Sequence, residues 1–233
     1  MTANPDAPRS RRERPAKPAL TRAGIVGTAV ELMHAEGLQR VTMRRLAQEL
    51  DTGPASLYVY VRNTAELHAA VLDELLGSVD LTPVTAAGDW SDRLVQVLTS
   101  YTAVLFEHPG LARSALVARP SGDHYLDLVE AQLALLDEGG VPADRAAWAI
   151  DLLLQFATAT AAEHTIRDAS DGAEHEWDAL AAALQAAADG PRPHLAAQGT
   201  ALLDGSGEAR LAWGFRVLIN GVLHTPRPDG DPA

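Results

Sequence analysis

Cysteine is absent from this chain, which excludes disulfides and thiolate zinc sites and fits a cytoplasmic protein. Aromatic residues are only 5% of the sequence, and no segment keeps a strand's apolar–polar alternation, so helices are favoured over a β-sandwich. Long apolar runs are missing as well. The most apolar segment, around Ala146 to Ala162, is too short for a bilayer and carries Asp151 and Gln155, so no membrane partner is expected. The first twenty residues are rich in Arg and Pro and lack the apolar stretch of a secretory leader. Catalytic signatures are scarce too. No nucleophile–base pair, phosphate-binding loop or HExxH spacing occurs, so neither catalytic residues nor a cofactor is expected. His108, His124, His164 and His175 invite a metal reading, but none joins a ligand-spaced cluster. The adjacent Glu163 and His164 point about 100° apart on a helix, and no metal site is expected.

What the chain does have is alanine, aliphatic residues in helical periodicity, and charge spread unevenly. Apolar residues are 47% and charged residues 21% of the 233, ordinary for a folded protein. The net charge of −12, taken whole, has the wrong sign for a nucleic-acid partner. Residues 1–67, however, hold ten Lys/Arg against seven Asp/Glu, so this segment is net +3 and the remainder −15. A basic head on an acidic body turns one end toward phosphate and the other away.

Residues 1–20 form a Pro/Arg/Ala-rich basic arm without periodicity, expected to be disordered. It is either an inert tail or an arm that grips phosphate or the minor groove. Thr21 caps a first helix to about Glu36, with Ile25, Val26, Ala29, Val30, Leu32 and Met33 as its apolar stripe and Gly37 as its stop. Thr42 caps a second, with Leu46, Ala47 and Leu50 inward and Arg44, Arg45, Gln48 and Glu49 outward. Asp51-Thr-Gly53 is a turn, and Pro54 suits the first position of a third helix. Asn63 with Glu66 opens a fourth as a capping-box variant. After a connector at 82–89, helices are expected at about 90–107, 110–117, 122–138, 143–167, 174–188 and 207–223. They are punctuated by Pro109, Pro120, Gly139-Gly140, Gly190-Pro-Arg-Pro193 and Gly205-Ser-Gly207. The expected architecture is all-α: an N-terminal three-helix helix-turn-helix domain at 21–67, and a larger C-terminal helical ligand-binding and dimerisation domain at 68–233.

The stretch Val41 to Val61 is the most informative. It reads as an amphipathic helix, a polar turn and a second short helix ending in aromatics, the layout that presents its second helix to the DNA major groove. Pro54, Ala55, Ser56, Tyr58 and Tyr60 are left on or near the outward face. Thr42 can both cap its helix and donate to a phosphate, and Arg44 and Arg45 stand beside it. Tyr58 has a second reading as partial core, and Arg45 as an ordinary solvated charge. Arg44 and Tyr60 are favoured for contact with double-stranded DNA.

The segments Ala29-Val-Glu-Leu-Met-His-Ala-Glu-Gly37, Thr42-Met-Arg-Arg-Leu-Ala-Gln-Glu-Leu50 and Leu57-Tyr-Val-Tyr-Val-Arg-Asn63, with Leu67, resemble the N-terminal domain of the tetracycline-repressor (TetR) family. Downstream, Arg119-Pro120, Glu130-Ala-Gln-Leu-Ala-Leu-Leu136, Phe156, Glu163 and Trp213-Gly-Phe-Arg-Val-Leu-Ile-Asn-Gly-Val222 resemble the regulatory domain after which that family is named. The resemblance covers about residues 20–223. It implies a homodimer with two DNA-binding heads and a ligand cavity in each body, and DNA contacts from Thr42, Arg44, Pro54, Ala55, Ser56, Tyr58 and Tyr60. Two departures stand out. Thr64 occupies a position where a phosphate-binding lysine is common, which weakens one backbone contact. Asp51 occupies that of a turn glycine, and Asp tolerates the left-handed geometry required.

By position, the resemblance also implies a cavity lined by Tyr101, Leu116, Gln132, Ala147, Asp151, Leu154 and Gln155, with ordinary core as the alternative for Leu116 and Leu154. In the resembled domain the drug binds as a magnesium chelate. Here Ala115 replaces the metal-holding histidine, and Asp80 and Val97 replace two polar groups that hold the drug. Glu163 alone matches a carboxylate near the metal. The helices near 143–167 and 207–223, rich in alanine and carrying Gly214 and Gly221, suit a dimeric four-helix interface; burial within one subunit is the alternative. The function expected is a dimeric, ligand-responsive transcriptional regulator, foremost a repressor released from a palindromic operator by a small-molecule effector other than magnesium–tetracycline. An architectural DNA-binding protein without a ligand and an all-α enzyme are the rivals.

Overall fold

The structure is a computed structural model and describes residues 19–116, 120–168, 172–187 and 190–228. Most of the basic arm, and Arg119, therefore lie outside the described residues. Among the described residues there are eleven α-helices and no strand, so the all-α expectation holds. The helices are α1 (Arg22–Glu36), α2 (Met43–Glu49), α3 (Pro54–Leu57), α4 (Thr64–Leu76), α5 (Trp90–Glu107), α6 (Pro109–Ala115), α7 (Asp123–Glu138), α8 (Ala143–Asp168), α9 (Ala173–Ala187), α10 (Pro193–Gln198) and α11 (Gly207–His224). Short 3-10 turns occupy 38–40, 82–85 and 200–202.

Local chemistry sets the helix limits. Thr21 accepts from the Gly24 amide and Thr42 from the Arg45 amide, while Gly37, at φ 86°, ends α1 by donating to the Met33 carbonyl. Asn63 accepts from the Glu66 amide; the return bond of Glu66 goes one residue further back, to the Arg62 amide. Asp51 sits at φ 45°, the one non-glycine residue with positive φ among the described residues. Two expectations change. The third helix stops at Leu57 after four residues, and the segment expected as a loop after Gly190 holds α10, started by Pro193.

Helices α1 to α4 bury Ile25, Ala29, Val41, Leu46, Leu57, Val61 and Leu67 as the core of the head. His68 of α4 bonds the Val41 carbonyl at 2.9 Å, tying α4 to the start of the helix-turn-helix. In the body α5 is central: Leu94, Val97, Leu98 and Leu105 are fully buried, and α7, α8 and α11 pack around it. Arg93 of α5 is buried. It pairs with Glu138 and donates to the Val84 carbonyl, which fastens the connector at 82–85 to the end of α7. Helix α4 packs against α1 on one side and α7 and α6 on the other, so it is the rod between head and body. No helix among the described residues is long and apolar enough to cross a membrane.

A second junction joins the two parts where the His34 ring of α1 stacks on His108, between α5 and α6, at 5.3 Å and 13°. Burial, reinforced by the neighbouring His34, holds the His108 imidazole below the ordinary histidine range, and Glu107 opposes this. The folded state therefore binds its proton less readily than the unfolded chain. Its contribution to stability is complete above the unfolded value, about 6.5, and is lost as pH falls from there through the lower folded value. Thermal melts at pH 7.5 and 5.5 should show a drop that is smaller in His108→Gln; an equal drop in both proteins would refute the assignment.

Candidate nucleic-acid interface and ligand cavity

On the outer face of the head, Thr42, Arg44, Pro54, Ala55, Ser56 and Tyr58 are all exposed, and Thr64 is half-buried at the first position of α4. Thr42 accepts from the Arg45 amide through one lone pair of its hydroxyl oxygen, and the hydroxyl proton is not used in that bond. Arg44 is exposed, and its guanidinium carries a fixed charge. Tyr58 is 52% exposed.

Two residues read as DNA contacts are placed otherwise. Arg45 is engaged by carboxylates on both sides, Glu36 at 2.6 Å and Glu49 at 2.7 Å, and the arginine bond holds the Glu36 carboxyl below its usual range. Its charge is offset by the two carboxylates. Tyr60 is not outward. It packs against the head core, and its hydroxyl donates to the Leu20 carbonyl at 2.8 Å, fixing the point where the chain enters α1. The physical reason is their spacing. Residues two apart point to opposite sides of a helical turn, so Tyr58 faces solvent while Tyr60, three residues after the buried Leu57, falls on the core side.

In the body, a cavity of about 130 Å³ is lined by Leu72, Tyr101, Leu116, Tyr125, Asp151, Leu154, Gln155 and Thr158, among others. Five of the seven residues expected by position are brought together here. Tyr101 and Thr158 share a hydrogen bond at 2.8 Å, and burial pushes the Tyr101 phenol up, so it stays protonated. The other two are elsewhere. Ala147 is exposed on α8 and does not line the cavity, and Gln132 is wholly buried within α7. The Gln132 amide donates to the Leu128 carbonyl at 3.1 Å, and its Oε1 is buried without a hydrogen-bond partner. Sequence reasoning missed Leu72, Tyr125 and Thr158; nothing in periodicity marks a core residue as a wall.

A larger groove of about 610 Å³ runs between α5, α8 and α11, lined by Phe106, Phe156, Glu163, His164 and Arg167, among others. Its walls are mostly apolar, and its charged Glu163 is paired with Arg167 at 2.6 Å. The smaller cavity is the candidate for a regulatory ligand that is tied to the head, because it touches α4 through Leu72.

The residues present do not fit a magnesium chelate. Ala115 has no donor atom, Val97 is buried, and Asp80 is occupied by the Thr82 hydroxyl at 2.6 Å and the Thr82 amide at 2.9 Å. Glu163 faces the groove rather than the cavity. Among the described residues no group of three or more His, Asp or Glu side chains is placed to hold a metal.

The chain is similar to known proteins over most of its length. Residues 25–71 match the family model described as bacterial regulatory proteins, tetR family, and residues 82–225 match that of the tetracyclin repressor-like C-terminal domain. The structure of SCO7704 from Streptomyces is 58% identical, with a TM-score of 0.75 over 93% of this chain and all of that one. ActR of Streptomyces coelicolor in complex with actinorhodin is 33% identical, with a TM-score of 0.75 over 88% of this chain and 96% of that one. The class D tetracycline repressor protein of Escherichia coli is 28% identical over 204 residues, 87% of this chain and 88% of that one. An HTH-type transcriptional regulator of Saccharopolyspora erythraea matches at 33% over 124 residues, and this chain spans about half of its length.

Proposed function

This chain belongs to the TetR family of bacterial regulatory proteins, and from that premise we propose a homodimeric repressor that leaves a palindromic operator when a small molecule enters the body. The observation that carries the reading is the contact of the cavity with α4 through Leu72, since α4 also holds the helix-turn-helix through His68. In a dimer the two heads must stand about 34–36 Å apart to enter successive major grooves, and a tilt of α4 changes that distance. A ligand that prefers the tilted state by a few kcal/mol is enough to release DNA.

Within the head, Arg44, Thr42 and Thr64 are assigned to phosphate, and Pro54, Ala55, Ser56 and Tyr58 to the groove. Arg45 and Tyr60 support the fold of the head. The dimer is assigned to α8 and α11. Trp148, Leu152 and Ile166 on α8 and Trp213 and Val217 on α11 are large apolar side chains left exposed, a pattern that marks an interface in soluble proteins. The effector is a small molecule other than magnesium–tetracycline, since the cavity has two tyrosines and no metal-holding set.

Selection from a random duplex pool should recover an inverted repeat bound at physiological salt, and failure to recover any sequence-specific complex would sink the proposal. Titration of that complex with magnesium–tetracycline should leave it intact, whereas actinorhodin is the probe for release. Dissociation by micromolar magnesium–tetracycline would overturn the assignment of the cavity.

A further inference from the structure

We infer that Asp73 is the positioning residue that couples the body to the head, by capping α7 from α4; the inference rests on the regulator reading above. Helix α7 has no cap of its own, because Gly122 stands at its N-cap position and offers no side chain. The Asp73 carboxylate supplies one from the neighbouring helix, accepting from the Tyr125 amide at 3.0 Å. This arrangement requires the glycine: a Cβ at 122 would overlap the carboxylate. Near the end of α4 the contact is reversed. The His124 imidazole of α7 sits over Gly77, where a Cβ would come within 2.9 Å of the ring. Each helix thus seats a side chain on the other's glycine.

The lock also borders the cavity. Leu72, next to Asp73 in the chain, and Tyr125, whose amide Asp73 holds, are both lining residues. Anything that fills the cavity therefore touches the residue next to Asp73 on α4 and, on α7, the residue whose amide Asp73 holds. With the cap in place, a displacement of the first turn of α7 is passed to α4 as a body. Without it, that turn yields locally and α4 stays where it was. Coupling between two sites is reciprocal, so DNA held by the heads must in turn steady the first turn of α7. This makes the lock testable from the DNA side, with no effector in hand.

The experiment is amide hydrogen exchange on the full-length protein, with and without a duplex recovered by the selection described above. In the unmodified protein, the duplex should slow exchange in residues 122–128 by roughly tenfold. Asp73→Ala should raise exchange there about tenfold in the DNA-free protein, as expected for a lost cap, and should abolish the response to duplex. Its DNA affinity should stay within about threefold, because the head is untouched. Asp73→Asn keeps an oxygen for the Tyr125 amide and should keep the response. Gly122→Ala, which evicts the carboxylate without removing it, should behave as Asp73→Ala does. A full duplex response in Asp73→Ala, or a first turn in the unmodified protein that ignores bound duplex, would overturn the inference. If selection yields no specific duplex, the regulator reading fails; faster exchange in Asp73→Ala would then reduce Asp73 to a stabilising cap, and the coupling role would fall with the reading.

Discussion

Trp213→Glu is expected to leave each subunit folded, to abolish the dimer, and to weaken operator binding by at least about a hundredfold. The size of the effect comes from linkage of the two heads. Two half-sites read by joined heads gain the effective concentration of the second head, commonly worth 10²–10⁴ in affinity, and a monomer loses all of it. The choice of residue follows from its surroundings. Trp213 is 68% exposed on α11, and Trp148 is 55% exposed on α8, the two most solvent-open tryptophans of the described body. An exposed indole can be replaced without leaving a void inside the subunit. A carboxylate in a closed four-helix interface is a buried, unpaired charge, among the most costly groups to desolvate. Sedimentation equilibrium reads the oligomer and gel shift reads the DNA. A variant that remains a dimer with unchanged operator affinity would place the interface elsewhere.

Tyr58→Ala is the second large effect, a loss of about 10- to 100-fold in specific binding, the range that one good groove contact carries. Tyr60→Ala should act differently. It removes packing from the head core and the bond to the Leu20 carbonyl, so it should lower the melting temperature as well as DNA affinity. The pair is informative because Tyr60→Phe keeps the ring and loses only the hydroxyl. That variant should melt slightly lower, by about 1 kcal/mol in stability, and should bind DNA nearly as before. If Tyr60→Phe instead lost as much DNA affinity as Tyr58→Ala, the tyrosine assignments would have to be exchanged.

These two tyrosines also show where reading from sequence reaches its end. The helix starts were legible because their signals are local. Thr21, Thr42 and Asn63 each bond the amide three residues on, and Gly37 and Asp51 adopt the positive φ that their turns demand. The central helix α5 and the long α8 follow from apolar spacing alone. The outward face of α3 was misjudged because residues two apart point to opposite sides of a helical turn, and Tyr60 lies on the core side with Leu57, three residues before it. In the body, Tyr101, Leu116, Asp151, Leu154 and Gln155 converge as their positions imply, whereas Gln132 is sealed inside and Ala147 faces solvent. Which wall of a helix meets a cavity depends on how its neighbours lean, and that is a property of packing. The bonds of Asp73 to α7 and the stacking of His34 on His108 join residues far apart in the chain, and no spacing in the sequence marks them.

The two glycines under the α4–α7 contact restrict how this protein can change over generations. Asp73 can give way to a larger residue at 122 only by turning from the Tyr125 amide, and His124 leaves no room for one at 77. Positions 73 with 122, and 77 with 124, can therefore be altered as pairs far more readily than one at a time. A lineage that enlarges residue 122 must shorten residue 73, and thereby give up the cap. Among descendants of this chain, the two pairs should be kept together or lost together.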